Sequence, residues 1–233
     1  SVTITDSNQT AIQLRENSRL TNFTISEWHF DGKAQIILFF DHDSTGQNIE
    51  VQNGTINSNI LNSPDTDAFH SRTTSSDENQ KYLGTITVND IEINDCHVMI
   101  GGTNTIGFEF HNVTFDGLVD SVIAGRGIEI EDGVYIQVYD SQMSNVVNFV
   151  RTFDDDGFLH LERCTLNFDT DMVGGGIYIS HTAVVTMSNV DFQQNYVGNN
   201  QLAVYGDGTG DISIIINGSH HHGGATEFFW KFE

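Results

Sequence analysis

"VYDSQM" (138–143), "LERCTL" (161–166) and "MSNVDF" (187–192) share one pattern: apolar, polar, a third residue that is usually Asn or Asp, variable, polar, apolar. The pattern recurs upstream in "FHNVTF" (110–115), "VNDIEI" (88–93), "VQNGTI" (51–56) and "ISEWHF" (25–30). Successive units start 26, 37, 22, 28, 23 and 26 residues apart. Self-similarity at such a period marks a repeat architecture. Between the units lie short alternating runs, "AQIILFF" (34–40), "GIEIEDGVYIQV" (127–138) and "GGGIYIS" (174–180). Apolar residues at every second position belong on strands, and no stretch longer than about a dozen residues carries the helical period.

Roughly three short strands per repeat predict an all-β chain folded as a single-stranded right-handed parallel β-helix, a solenoid of roughly eight coils. Residues 1–233 form one domain in this reading. A loop insertion at about 60–82 lengthens the one 37-residue interval, and a C-terminal cap or contact segment covers about 217–233. The Asn or Asp at the third place of each unit suits a turn between sheets, because these residues tolerate the left-handed conformation. They are expected to form an inward-pointing ladder, which argues against Asn53 and Asn112 as glycan acceptors. Ile56, Ile93, Phe115, Met143, Leu166 and Phe192 end their units and are expected to stack as one apolar column. A β-sandwich would place turns such as Asn-Gly between strands, whereas Asn53-Gly54 lies inside a unit. Cys96 and Cys164 fall about three coils apart, roughly 14 Å at the usual strand spacing. That is beyond disulfide reach, so both are expected as free, partly buried thiols.

Composition narrows the function. The chain carries 32 Asp plus Glu against 9 Lys plus Arg, a net charge of −23. Nucleic acids and anionic membrane surfaces are therefore excluded as partners, since both need clustered cations. No run of about 18 apolar residues is present, so no helix is expected to span a membrane. The opening "SVTITDSNQT" has neither an initiator Met nor a signal peptide, which reads as a processed or excised piece. Five sequons begin at Asn8, Asn22, Asn53, Asn112 and Asn217; after the ladder argument, Asn8, Asn22 and Asn217 stand as glycosylation candidates. Asp41 and Asp43, and the run Asp154, Asp155 and Asp156, offer hard oxygens to Ca²⁺, although neither follows a known loop spacing. "SHHHGG" (219–224) reads as a loose tail and not a metal site, because consecutive side chains point in different directions. Phe228, Phe229, Trp230 and Phe232 near the C-terminus form an apolar segment that caps a solenoid end or contacts a neighbour.

Two resemblances add expectations. "GGGIYISHTAVVTMSNVDFQQN" (174–195) resembles the repeat of polymorphic outer-membrane-type surface proteins, with Phe192-Gln193-Gln194-Asn195 matching their Phe-x-x-Asn element. That resemblance implies a surface or adhesive role. "SPDTDAFH" (63–70) resembles the first motif of polygalacturonase-family glycoside hydrolases, which are right-handed β-helices of the pectin-lyase-like superfamily. "NDC" (94–96), "GRGIEIEDG" (125–133) and "VRT" (150–152) follow in the family's order. Carried over residue by residue, the resemblance implies catalytic roles for Asp67 and Asp95, and substrate binding by Arg151. The departures are Asp65 for the family's Asn, Asn94 for its acidic proton donor, Arg126 for its His, and Thr152 and Phe153 where its Lys would fall. Inverting glycosidases need a carboxylic acid and a carboxylate about 6.5–9.5 Å apart. Asn94 cannot serve as the acid, which leaves Asp65 as the substitute and Arg126 with Arg151 as substrate contacts.

The expectation is a non-catalytic extracellular structural protein, a surface, adhesin or filament component. It would associate with itself, with other extracellular proteins or with glycans, and need no cofactor beyond an optional Ca²⁺. The alternatives are a polysaccharide-active enzyme (a polygalacturonase-like hydrolase, or a related lyase or epimerase) and a glycan-binding tailspike-like module. The charge of −23 repels a polyuronate substrate.

Overall fold

The computed structural model describes residues 2–5, 12–14, 18–26, 34–41, 49–57, 66–73, 85–96, 98–103, 107–117, 126–130, 135–144, 148–152, 157–168, 177–179, 183–194, 204–206, 212–218, 221–223 and 230–232. Among them every regular element is a β-strand, and no helix is long and apolar enough to cross a membrane. The strands are dealt to two sheets, and in the later rungs Gln142–Ser144, Thr165–Phe168, Asp191–Gln194 and His221–Gly223 add a second strand to the larger one. The main path of the 13-stranded sheet runs from Val2–Thr5 through Arg19–Ser26, Ile49–Asn57, Thr85–Cys96, Gly107–Gly117, Tyr135–Tyr139, Gly157–Glu162 and Ala183–Ser188 to Ile212–Asn217. The 9-stranded sheet takes the strands between them, from Ile12–Leu14 to Trp230–Phe232. The pairings are parallel throughout, for example Ile86 opposite Phe108 and Ile128 opposite Val150. A chain that returns to each sheet in turn, always parallel, has the connectivity of a β-solenoid, and each step along a sheet is one rung.

Sequence period explains the core. Alternate residues of a strand face one side, and parallel register puts equivalent positions of successive rungs above one another. Ile49, Ile86, Phe108, Ile136, Leu159 and Val185 form one buried column. Leu20, Val51, Val88, Phe110, Val138, Leu161 and Met187 form the next. The predicted stack is present: Ile56, Ile93, Phe115, Met143 and Leu166 are in register and buried, and Phe192 continues the register. From the other sheet Phe69 reaches Phe110, their rings 6.2 Å apart.

The third residue of each unit makes a sharp bend. Asn22, Asn53, Asp90, Asn112, Asp140, Arg163 and Asn189 have φ between 50° and 55°, and Gly218 takes the next such place at 78°. Non-glycine residues rarely adopt this left-handed conformation, and Asn and Asp do so most readily. Backbone pairing survives the bend. Asp140 N–H donates to Glu162 O at 3.0 Å, and beyond the bend Thr165 N–H donates to Ser141 O at 2.9 Å. Substituting a β-branched residue here therefore has a definite cost. Asn112→Val is expected to lose about 1–2 kcal/mol, whereas Asn112→Gly stays within about 0.5 kcal/mol of the parent. Urea unfolding midpoints of the two variants check this.

Two readings of the repeat are corrected. The first unit is not "ISEWHF" (25–30) but "LTNFTI" (20–25): Leu20 pairs with Val51, Ile25 with Ile56, and Asn22 makes the bend. Glu27 offered a polar residue at the right place in the string, but Asn tolerates the left-handed bend far better. The bend residues also point outward, not inward. All seven non-glycine ones are exposed, and six of the seven residues that follow them turn into the core: Phe23, Ile91, Val113, Ser141, Cys164 and Val190 are buried, the seventh being Gly54. Asn53 and Asn112 therefore stand with Asn22 as glycan-acceptor candidates, since all three occupy the same exposed position. Within the segment read as a loop at about 60–82, Thr66–Thr73 is a strand of the 9-stranded sheet with Ala68 and Phe69 fully buried.

Candidate functional site

The outward face of the 13-stranded sheet carries the densest chemistry among the described residues. It lies on the strands Gly107–Gly117, Tyr135–Tyr139, Gly157–Glu162 and Ala183–Ser188, whose outward positions again stack by register. His111 and Tyr139 stack at 4.8 Å with planes 10° apart, and Tyr139 meets His160 at 5.5 Å. Tyr135 and Phe158 stack at 4.1 Å, nearly parallel at 3°. Rings stacked this way along the sheet turn their faces to one another and their edges to solvent.

The polar groups are likewise joined rung to rung. His160 Nδ1 and Thr186 Oγ1 share a hydrogen bond at 2.6 Å, and the Thr186 hydroxyl also lies 3.4 Å from the Leu159 carbonyl. His160 Nε2 faces Glu162 Oε2 at 3.4 Å, and His111 Nε2 faces Glu109 at 3.7 Å. Burial holds the His160 imidazolium below its ordinary pKa range. Tyr139 is raised, by burial first and then by the Glu109 charge. Arg163 donates to both oxygens of Asp140 at 2.6 and 2.9 Å and also contacts Glu162. The hydrogen bond from Arg163 lowers the Asp140 carboxyl below its usual range. Arg163 is the least expected residue at a left-handed bend, and this bidentate contact across one rung keeps company with it there.

Thr186, His160 and Glu162 present a hydroxyl, an imidazole and a carboxylate in line, the elements of a nucleophile, base and orienting acid. The rest of such a site is missing among the described residues. The strand amides are spent on parallel pairing, which leaves no pair of N–H donors for an oxyanion among them.

A second feature follows the bend itself: an open groove of about 520 Å³ at the rungs of Asn22, Asn53, Asp90 and Asn112. Its other wall carries Thr24, Thr55, Glu92 and Thr114, which pair in register in that order. Asn112 Nδ2 donates to Asp90 Oδ1 at 2.7 Å, and Asn94 Nδ2 donates to Glu92 Oε1 at 2.9 Å and to Asn57 Oδ1 at 2.8 Å.

The residues carried over from the hydrolase motifs are placed by their backbone. Asp67 pairs with Gln35 and Val98, and Val98 pairs with Arg126, so Asp67 and Arg126 share one register line two rungs apart. Arg151 pairs with Glu129 and Tyr178 on a different line. Asp95 belongs to the other sheet, where the register shifts between Asn94 and Cys96. Asp41 ends its strand opposite Thr73, and Trp230 and Phe232 pair with Val204 and Gly206. The side chains of these residues, and all of Asn8, Asp43, Asp65, Asp154, Asp155, Asp156, Phe228 and Phe229, lie outside the described residues. Asn22 and Asn217 are exposed. Among the described residues no group of three or more His, Cys, Asp or Glu could hold a metal ion.

Cys164 is a free, buried thiol whose Sγ contacts the Val138 and Glu162 carbonyls at 3.4 Å. Burial pushes its pKa from 9.0 up to about 11. Because the folded state favours the neutral thiol, its contribution is complete below pH 9 and lost as the pH rises toward 11. Stability should fall there by roughly 1.4 kcal/mol per pH unit from this group. Urea unfolding of wild type and Cys164→Val between those pH values measures the difference in slope. Native protein at pH 8 should leave Cys164 unalkylated, as peptide mapping would report.

None of the residues of the ring-and-carboxylate face was singled out from the sequence. The signal was parity: they sit one residue from the buried positions of each unit, as in "EFH" (109–111), "QVY" (137–139) and "HLE" (160–162). No protein-family model, curated protein or solved structure matches the chain.

Proposed function

We propose that the chain is a non-catalytic structural component of an extracellular surface, an adhesin or filament piece, built on a right-handed single-stranded parallel β-helix of roughly eight coils. The observation that carries this reading is the use of its outward side chains. Tyr135 with Phe158, His111 with Tyr139, His160 with Thr186, and Arg163 with Asp140 each join one rung to the next. A catalytic face holds its groups toward a substrate; this one spends them on stiffening a rod. The likeness to the pectin-lyase-like superfamily supports the handedness, and the likeness to surface-protein repeats supports the location. Expected partners are further copies of the chain, other extracellular proteins and glycans. An excess of acidic groups keeps such a rod soluble and apart from nucleic acid.

The enzyme reading is tested by incubating the purified protein with polygalacturonate and measuring reducing ends. No release above buffer is expected. Release that disappears in Asp67→Ala would replace the structural reading with a hydrolase. Self-association is read separately, by sedimentation at rising protein concentration.

A further inference from the structure

We infer that the groove along the bend binds a linear, uncharged, hydroxyl-rich chain, an oligosaccharide lying along the stack of rungs. Several outward ladders close on themselves: Asn94 donates to Asn57 and Ser144 to Asp116, and within the groove Asn112 donates to Asp90. In the groove, the side chains of Asn22, Asn53, Thr24, Thr55 and Thr114 take no hydrogen-bonding partner among the described residues, and Asn22, Thr24, Asn53 and Thr114 are exposed. Amides on one wall and hydroxyls on the other offer paired donors and acceptors at every rung but one. The rungs repeat at about 4.8 Å, so the four span roughly 14 Å, enough for several sugar units presenting hydroxyls at a similar repeat.

Charge and backbone decide among ligand classes. Asp90 and Glu92 occupy the third rung and repel an anionic glycan, as does the net charge of −23. Those carboxylates already accept from Asn112 and Asn94, and among the described residues the groove has no third acidic or imidazole group of the kind a cation would want. An extended peptide needs an open strand edge for its main chain, and the strands here are paired on both sides. The same arrangement accounts for three of the five sequons. Asn at the bend, an inward residue and an outward Thr spell Asn22-Phe23-Thr24, Asn53-Gly54-Thr55 and Asn112-Val113-Thr114.

Calorimetric titration with cellohexaose, maltohexaose, chitohexaose and, as the anionic probe, a galacturonate hexamer tests the inference. At least one neutral probe should bind with a Kd of about 1 mM or tighter. The variant Thr24→Val/Thr55→Val/Thr114→Val keeps the β-branched shape and should bind that probe at least about tenfold more weakly, with an unchanged Tm. Thr186→Val, which removes a hydroxyl outside the groove, should bind like the parent. Failure of every neutral probe to bind, equal binding by the triple variant, or preference for the galacturonate hexamer overturns the inference. None of these outcomes touches the structural-rod reading, which stands or falls on catalysis and self-association.

Discussion

Phe110→Ala is expected to lower the free energy of unfolding by about 3–5 kcal/mol. Phe110 is fully buried, stacks on Phe108 with centroids 5.8 Å apart, and meets Phe69 of the other sheet at 6.2 Å. It also sits between Val88 and Val138 in its column. Truncation thus removes contacts within one rung, to the rungs on both sides and across the two sheets. Paired strands fix the surrounding backbone, so the void cannot close, and the cavity cost adds to the lost transfer energy. Phe110→Leu keeps most of the volume and should cost less than about 1.5 kcal/mol. Urea unfolding checks the series, with the midpoint falling and the slope unchanged. A loss below about 1 kcal/mol for the alanine variant would mean that Phe110 is not a core residue.

The second large effect is expected at Gly54. A Cβ built there would lie 2.2 Å from Phe23 Cε1 and 2.3 Å from Cζ, and the Phe23 ring is only 3% exposed. The ring fills the space that Val113, Ile91 or Cys164 fills with its own side chain at the corresponding place on other rungs. Gly54→Val should therefore cost about 1–3 kcal/mol by overpacking, and Phe23→Ala about 3–5 kcal/mol by leaving a cavity. Combined, the new valine occupies the space vacated by the ring. The double variant should be less destabilised than the sum of the singles, with a coupling of about 1–3 kcal/mol. Additive losses would show that Phe23 does not lie over Gly54.

How far the sequence was legible follows from which interactions are local. The column from Ile56 to Leu166 could be read because each unit carries its own strand alternation, with Asn or Asp nearby. The first unit was misplaced because Glu27 imitates the polarity of a bend residue in the string, while the real one, Asn22, is distinguished by its backbone conformation. The direction of the bend residues was misjudged for a related reason: composition does not tell whether a left-handed Asn faces the core or solvent. The ring-and-carboxylate ladder was invisible because His111, Tyr139 and His160 come from successive strands. Only the register of one rung on the next brings them together. The groove had a trace in the sequence, its three Asn-x-Thr triplets, but these carried a different meaning until the bend gave them one wall each.

The stacked register is tested most directly by distances between spin labels along one outward column. Thr24, Thr55, Glu92, Thr114, Gln142 and Thr165 follow one another rung by rung. In a Cys96→Ser background, Thr24→Cys is paired in turn with Thr114→Cys, Gln142→Cys and Thr165→Cys, leaving the buried Cys164 unlabelled. Pulsed electron–electron resonance should give backbone separations of about 14, 19 and 24 Å, rising by about 4.8 Å per rung. Separations that do not rise by a constant step, or that fall as the second label moves along the column, would contradict the parallel stack on which the rest depends.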